Sequence, residues 1–184
     1  MFLKHMSQKI EIYNQWIQEK VILINENITT DLAAKIVLNL KQLKNDANIK
    51  VINIYINSSG GDVYAMQMII AEMERVKKIK EIHTHICSYA HSAAAIIALL
   101  GTFRTADRFA KILYHEVKIS ENDCTIHDID SNKKALSDLN NICKEIILNN
   151  TRLTKEDIDK FFNNKDIYID AKQALKYKII NKIE

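Results

Sequence analysis

Proline is absent from the sequence, and glycine occurs only three times in 184 residues. Long apolar runs are missing too. None approaches the roughly 18 residues that a bilayer-spanning helix needs, so no membrane association is expected. The opening stretch MFLKHMSQKIEIYNQW has no apolar central region, and no secretory leader is expected. Cysteine is sparse and odd in number, with Cys87, Cys124 and Cys143. That usage favours a reducing compartment, and the expected location is the cytoplasm. A strong charge of one sign is also lacking. Net charge is +3 and the lysines are scattered, which gives no footing for nucleic acid. Neither G-x-x-x-x-G-K nor G-x-G-x-x-G occurs, so a phosphate loop is excluded. No repeat, linker or low-complexity tract breaks the chain.

What is present is an ordinary globular composition, 47% apolar and 27% charged. The length suits one domain over residues 1–184 with a sizeable core. β-Branched runs at 20–28 (KVILINENI) and 50–57 (KVINIYIN) have strand length. Between them Leu32, Ile36, Val37, Leu40 and Leu43 fall on one helical face, with Thr30 as the expected N-cap. DVYAMQMIIAEMERVKK is helical, KEIHTHICSYA is strand-like, and SAAAIIALLG is a short apolar helix that stops at Gly101, a C′ glycine on this reading. FAKILYHEV reads as another strand. Three helices follow, the first long and amphipathic over about 132–149. The last opens with a capping box, Asp170 and Gln173. Alternating strands and helices make the class α/β.

The pair Gly60–Gly61 sits between a strand and a helix. Glycine there permits positive φ and close approach of a ligand to the backbone, and the helix start beyond it offers free N–H groups. The corner is either a tight turn or a site for an anion or developing oxyanion. With phosphate loops excluded, a carbonyl oxygen is the better ligand. Ser92 follows a strand and opens the helix SAAAIIALLG, with small residues behind it. That placement suits a nucleophile on a strand–helix turn, although G-x-S-x-G is absent. It equally suits a plain serine N-cap.

Taken in order, YINSSGGDVYAMQMI, CSYAHSAAAIIALLG, RFAKILYHEV and KDIYIDAKQALKYKII resemble the family of the Clp protease proteolytic subunit, ClpP, over about residues 18–184. The resemblance implies a ClpP/crotonase-type fold of repeated β-β-α units with a protruding long helix. It implies a serine peptidase acting on peptides or unfolded proteins inside stacked rings of one subunit, with no metal or cofactor. Position by position it implies Ser92 as nucleophile, His115 in ILYHEV as base and Asp166 in KDIYIDAKQA as acid. The N–H groups of Gly61 and Ala93 form the implied oxyanion hole.

Departures from the family pattern are specific. Ser88 replaces a glycine, His91 an alanine and Ser59 a proline. One residue is missing between Cys87 and Ser92. The family's glycine-rich strand after the base is replaced by KISENDCTIHDID. Gln42, Asn53 and Arg75 stand where the family has apolar or aromatic groups, although Tyr55 keeps an aromatic, so docking of a Clp-type ATPase is not the expectation. His91 is expected to point away from the Ser92 hydroxyl. His83, His85 and Cys87 share one strand face, a geometry open to zinc but more in keeping with a half-buried strand. Cys124 and His127 make a weak C-x-x-H. Asp107 and Glu116 are alternative acids. Two other readings stay open: a catalytically silent ring subunit, and a crotonase-type acyl-CoA enzyme with an oxyanion hole but no triad.

Overall fold

A computed structural model describes residues 19–118, 126–163 and 166–184, with side chains of the long helix from residue 133 onward. The N-terminal segment 1–17, Cys124 and the His127 side chain lie outside the described residues. So does most of the segment KISENDCTIHDID that replaces the glycine-rich strand.

In chain order the elements are β1 (Val21–Ile24), α1 (Thr30–Asn45), β2 (Val51–Ser58), α2 (Val63–Lys77), β3 (Glu81–His91) and α3 (Ala93–Leu99). They continue as β4 (Phe103–Ala106), β5 (Lys111–Tyr114), α4 (Ile126–Asn150), α5 (Lys155–Phe162), β6 (Ile167–Asp170), α6 (Ala171–Lys176) and β7 (Lys182–Ile183). All the strands join one sheet in the order β1-β2-β3-β4-β7, with β5 and β6 branching from β3. Every pairing is parallel except β5 with β6. No helix among the described residues is long and apolar enough to cross a membrane.

β3 is the organising strand. Its first half, His83 to Ile86, pairs with β4, and its last residues, Tyr89 to His91, pair with β5. The sheet therefore forks, and the end of β3 reaches beyond β4. Alternation puts Ile52, Ile54 and Ile56 of β2 and Ile82 and Ile86 of β3 in one buried cluster with α1, α2 and α3. Each such isoleucine contributes about 1.5–3 kcal/mol of apolar burial. α3 is buried along its whole length, which explains its composition: only alanines and aliphatic residues fit there.

The opposite sheet face carries Asn53, Tyr55, His83, His85, Phe103 and Thr105, brought together by register. His83 contacts Glu81 at 3.0 Å and His85 contacts Asp107 at 3.2 Å. Each histidine thus has a carboxylate neighbour. Among the described residues no three potential ligands gather as a metal site.

Several boundaries differ from expectation. Thr29, not Thr30, caps α1, its hydroxyl accepting from the Leu32 N–H at 3.2 Å. Gly101 does not adopt positive φ, so it is no left-handed C′ residue. Its missing side chain instead leaves room for Thr84, whose hydroxyl donates to the Ala98 carbonyl at 2.7 Å. The FAKILYHEV run begins its strand only at Lys111, and β4 and β6 are strands that the periodicity did not reveal. Both are only 4 residues long, too short for a clear alternation. The Asp170–Gln173 capping box is present. Arg104 of β4 ties the C-terminal part down, donating to the carbonyls of Ile179 (2.8 Å), Gly101 (3.1 Å), Asn150 (3.2 Å) and Lys178 (2.9 Å).

The glycine loop is zipped onto the segment after β1. Ile28 N–H donates to Gly60 O and Asp62 N–H to Ile28 O, both at 2.8 Å. Ser58 Oγ donates to Glu26 O at 2.7 Å and accepts from Gly60 N–H at 3.1 Å. Gly60 has φ +95°, and a Cβ there would sit 2.8 Å from Ser92 Cβ and 2.7 Å from His91 O. A Cβ on Gly61 would run into Ile28 O. Gly60→Ala should therefore destabilise the fold by about 3 kcal/mol, from positive φ and from displacing the β3–α3 corner. Urea denaturation of the two proteins measures it, and a change below about 0.5 kcal/mol would show that the corner yields freely.

Candidate active site

The corner between β3 and α3 is strained. Ser92 has φ 53° and ψ −125°, outside the regions that residues with a Cβ favour. Such a backbone costs on the order of 1–3 kcal/mol and persists only where neighbours enforce it. Here Ser92 N–H donates to Leu113 O of β5 at 2.8 Å, and the Gly60 backbone packs against the Cβ. The serine hydroxyl makes no capping bond to the helix. The plain N-cap reading of Ser92 is thereby set aside: its side chain is not spent on α3.

Ser92 opens onto a cavity of about 510 Å³. Gly61, Ala93 and His115 line it as well, so four of the five residues named from sequence meet there. The amides of Gly61 and Ala93 donate to no acceptor among the described residues. The glycine pair and the serine corner each bring one such N–H to residues that line the same cavity. The inner wall is largely apolar, with Met66, Ile96, Tyr114, Leu139 and Phe162. Cys143 also lines it, but burial pushes its thiol up to about 11, so it stays protonated and is a poor nucleophile. The Tyr114 hydroxyl is fully buried with no partner among the described residues, and burial pushes it far above the ordinary phenol range.

His115 follows β5 at the cavity wall. Its Nδ1 lies 2.7 Å from the carbonyl oxygen of Glu116. A carbonyl only accepts, so Nδ1 must carry the proton. In the neutral ring that leaves Nε2 as the free base. Glu116 therefore contributes its backbone rather than an acid side chain, and Asp107 is engaged with His85.

Asp166 does not line the cavity, and no hydrogen bond joins it to His115. Nor does one join Ser92 Oγ to His115. The strand register nevertheless runs toward both residues. β5 and β6 pair Leu113 with Tyr168 and Tyr114 with Ile167, and the next pair in that register is His115 with Asp166. Directly opposed residues have Cβ atoms about 4.5–5.5 Å apart. Sequence spacing alone did not show this, because β6 was not recognised as a strand.

His91 does not line the Ser92 cavity, in keeping with a side chain directed away from that hydroxyl. β3 pairs it with Leu113, and Leu113 pairs with Tyr168, so its side chain emerges on the face of those two residues. His115 follows the end of β5 and Asp166 precedes the start of β6, so both lie at the same end of this strand pair. The His91 ring lies 5.0 Å from Tyr89 and edge-on to Tyr168 at 5.5 Å. Burial and then the nearby His115 hold it below the usual histidine range, against an upward pull from Asp166.

Comparison with known proteins places the chain in a family. The sequence profile of the Clp protease family matches residues 4–184. An ATP-dependent Clp protease proteolytic subunit 1 of Prochlorococcus marinus subsp. pastoris is 28% identical over 182 residues, covering 93% of this chain and 86% of its own. An ATP-dependent Clp protease proteolytic subunit 2 of a Synechococcus strain is 26% identical over 184 residues, covering 94% of this chain and 87% of its own. The strained serine corner with its two unbonded amides thus stands in a chain that, over nearly its whole length, belongs to the Clp protease family.

Proposed function

We propose that this chain is a serine endopeptidase that cleaves peptides or unfolded proteins inside a ring-shaped homo-oligomer. The observation that carries the reading is Ser92 itself: a strained residue whose hydroxyl is unused by its helix and opens onto a cavity shared with His115. In this mechanism Ser92 Oγ attacks the scissile carbonyl carbon, and His115 Nε2 takes its proton. The carbonyl oxygen becomes an oxyanion held by the Gly61 and Ala93 N–H groups. Collapse of the tetrahedral intermediate breaks the C–N bond, and the protonated His115 passes its proton to the leaving amine. Water, deprotonated by His115, then releases the acyl group from Ser92. Asp166, across the sheet register from His115, stabilises the imidazolium as it forms. The sequence requires no metal and no cofactor.

The absence of a direct His115–Asp166 bond favours one second reading, a catalytically silent ring subunit. The same experiment separates the two. Ser92→Ala should abolish fluorophosphonate labelling and lower peptide hydrolysis by roughly 10³-fold or more, and His115→Ala should do likewise. Asp166→Asn should cost at least about tenfold less than His115→Ala, because the Glu116 carbonyl already selects the His115 tautomer. Labelling that survives Ser92→Ala overturns the nucleophile assignment, and a wild type that never labels establishes the silent subunit.

The long helix α4 supports the oligomer in part. Of its apolar stripe, Leu139, Cys143 and Ile147 are buried within the subunit itself. Ile142 and Leu148, each 40% exposed, remain outward. The uncovered sheet face adds Tyr55 and Phe103. Parallel sheets are ordinarily covered on both faces, so a neighbouring subunit is the natural cover. Multi-angle light scattering should give several times the mass of one chain, and a stable monomer at micromolar concentration would rule the ring out.

A Clp-type ATPase is not the partner proposed. Asn53 and the two histidine–carboxylate contacts make the outer groove polar, and Arg75 is engaged with Glu72 at 3.0 Å. Polar groups forgo about 25 cal/mol for each Å² of apolar burial that a docking loop would need. Mixed with a Clp ATPase, ATP and a folded tagged substrate, the protein should leave that substrate intact. Processive degradation would show that docking survives.

A further inference from the structure

We infer that Asn27 is a substrate-binding residue: its side-chain N–H groups, fixed in direction by Ser59, donate to a main-chain carbonyl of the bound peptide near the scissile bond. The inference deepens the peptidase reading and takes its substrate from it. Three observations carry it. Asn27 and Ser59 both line the Ser92 cavity, together with Gly60 and Gly61, and both are exposed, so a ligand can reach them. Asn27 also sits on tethered backbone. Before it, Glu26 O accepts from Ser58 Oγ at 2.7 Å; after it, Ile28 N–H donates to Gly60 O at 2.8 Å. Ile28 forms a parallel bridge with Gly61, so the Asn27 segment and the glycine loop run side by side. Last, Ser59 Oγ lies 2.6 Å from Asn27 Oδ1. That distance suits O–H···O, at about 2.5–3.0 Å, and is too short for N–H···O, at about 2.7–3.2 Å. The hydroxyl therefore donates to the carbonyl end of the amide. Nδ2 is the other end, and it donates to no acceptor among the described residues.

The chemistry of the ligand follows from that orientation. With Oδ1 engaged by Ser59, the amide offers donors, and what it recognises is an acceptor. Neither residue is charged, so the pair does not select an anion. A peptide placed for attack by Ser92 passes along the glycine loop, where the Gly61 N–H is also unbonded. Its main-chain carbonyls lose water there and need donors in exchange. Every peptide carries such carbonyls, so Asn27 adds affinity without reading sequence. Proline, the residue of the family pattern at position 59, has no hydroxyl with which to hold the amide. The device therefore belongs to this chain.

The test is peptide binding followed by fluorescence anisotropy, on the full chain carrying Ser92→Ala, with hydrolysis by the Ser92 protein beside it. Asn27→Leu keeps the approximate shape and removes the donors. It should weaken peptide binding about three- to tenfold, the factor of one neutral hydrogen bond. Ser59→Ala keeps the donors and frees their direction, so it should cost less, and the double variant should cost no more than Asn27→Leu alone. The loss should be equal for peptides of unrelated side chains. It should disappear in a truncation series at the length that removes the carbonyl. In hydrolysis the same factor should fall on KM rather than kcat. Fluorophosphonate labelling of Asn27→Leu checks that the serine corner has kept its fold. Unchanged binding in Asn27→Leu, additive losses in the double variant, a loss that follows one side chain, or a failure of any peptide to bind would each overturn the inference. Binding that depends on Asn27, in a wild type that neither labels nor cleaves, would uphold the subsite and sink the peptidase reading instead.

Discussion

The cavity depends on one close approach, that of the Gly60 backbone to the Ser92 corner. The corner is strained at Ser92, and a backbone of that kind relaxes unless its surroundings prevent it. Two contacts do so. Leu113 O takes the Ser92 amide from one side, and Gly60 fills the space on the other without a side chain. Gly60 is itself held by Ile28 and by Ser58, whose hydroxyl links it to Glu26. The residues after β1 thus reach the serine through a single glycine. In so glycine-poor a chain, this is where one is indispensable.

The forked sheet explains why the functional groups converge. β3 pairs with β4 along its first half and with β5 at its end. The end of β3 therefore presents Ser92 beside His115, while β6, antiparallel on β5, carries Asp166 toward the same end. Ser92 and His115, distant in sequence, meet at the cavity because β5 branches from the end of β3, and β6 lies along the other edge of β5.

The two sheet faces are unequal. One packs its isoleucines under α1, α2 and α3. The other exposes aromatic rings and imidazoles that contact each other, with Tyr55 against His85 and His83 against Phe103. Rings and polar groups in alternation are suited to a wet subunit boundary, less to a dry pocket for an apolar loop.

The sequence by itself determined much of the architecture. The β-branched runs became β1 and β2, the strand-like KEIHTHICSYA became β3, periodic apolar spacing became α1 and α2, and the Asp170–Gln173 pattern capped α6. These are local effects, decided by alternation, helix period and side-chain-to-backbone bonds within a few residues. The order of four motifs was enough to place the chain in its family, and Gly60–Gly61 and Ser92 stood out as the chemical corner. Tertiary structure alone decided the rest. Whether Ser92 capped α3 depended on a backbone twist imposed by Leu113 and Gly60, both remote in sequence. The short strands β4 and β6 exist because longer neighbours offer them edges. The alignment of His91 with Leu113 and of Leu113 with Tyr168, which leaves His115 and Asp166 at one end of the β5–β6 pair, follows from register between strands, and register is a relation between segments that neither segment carries alone.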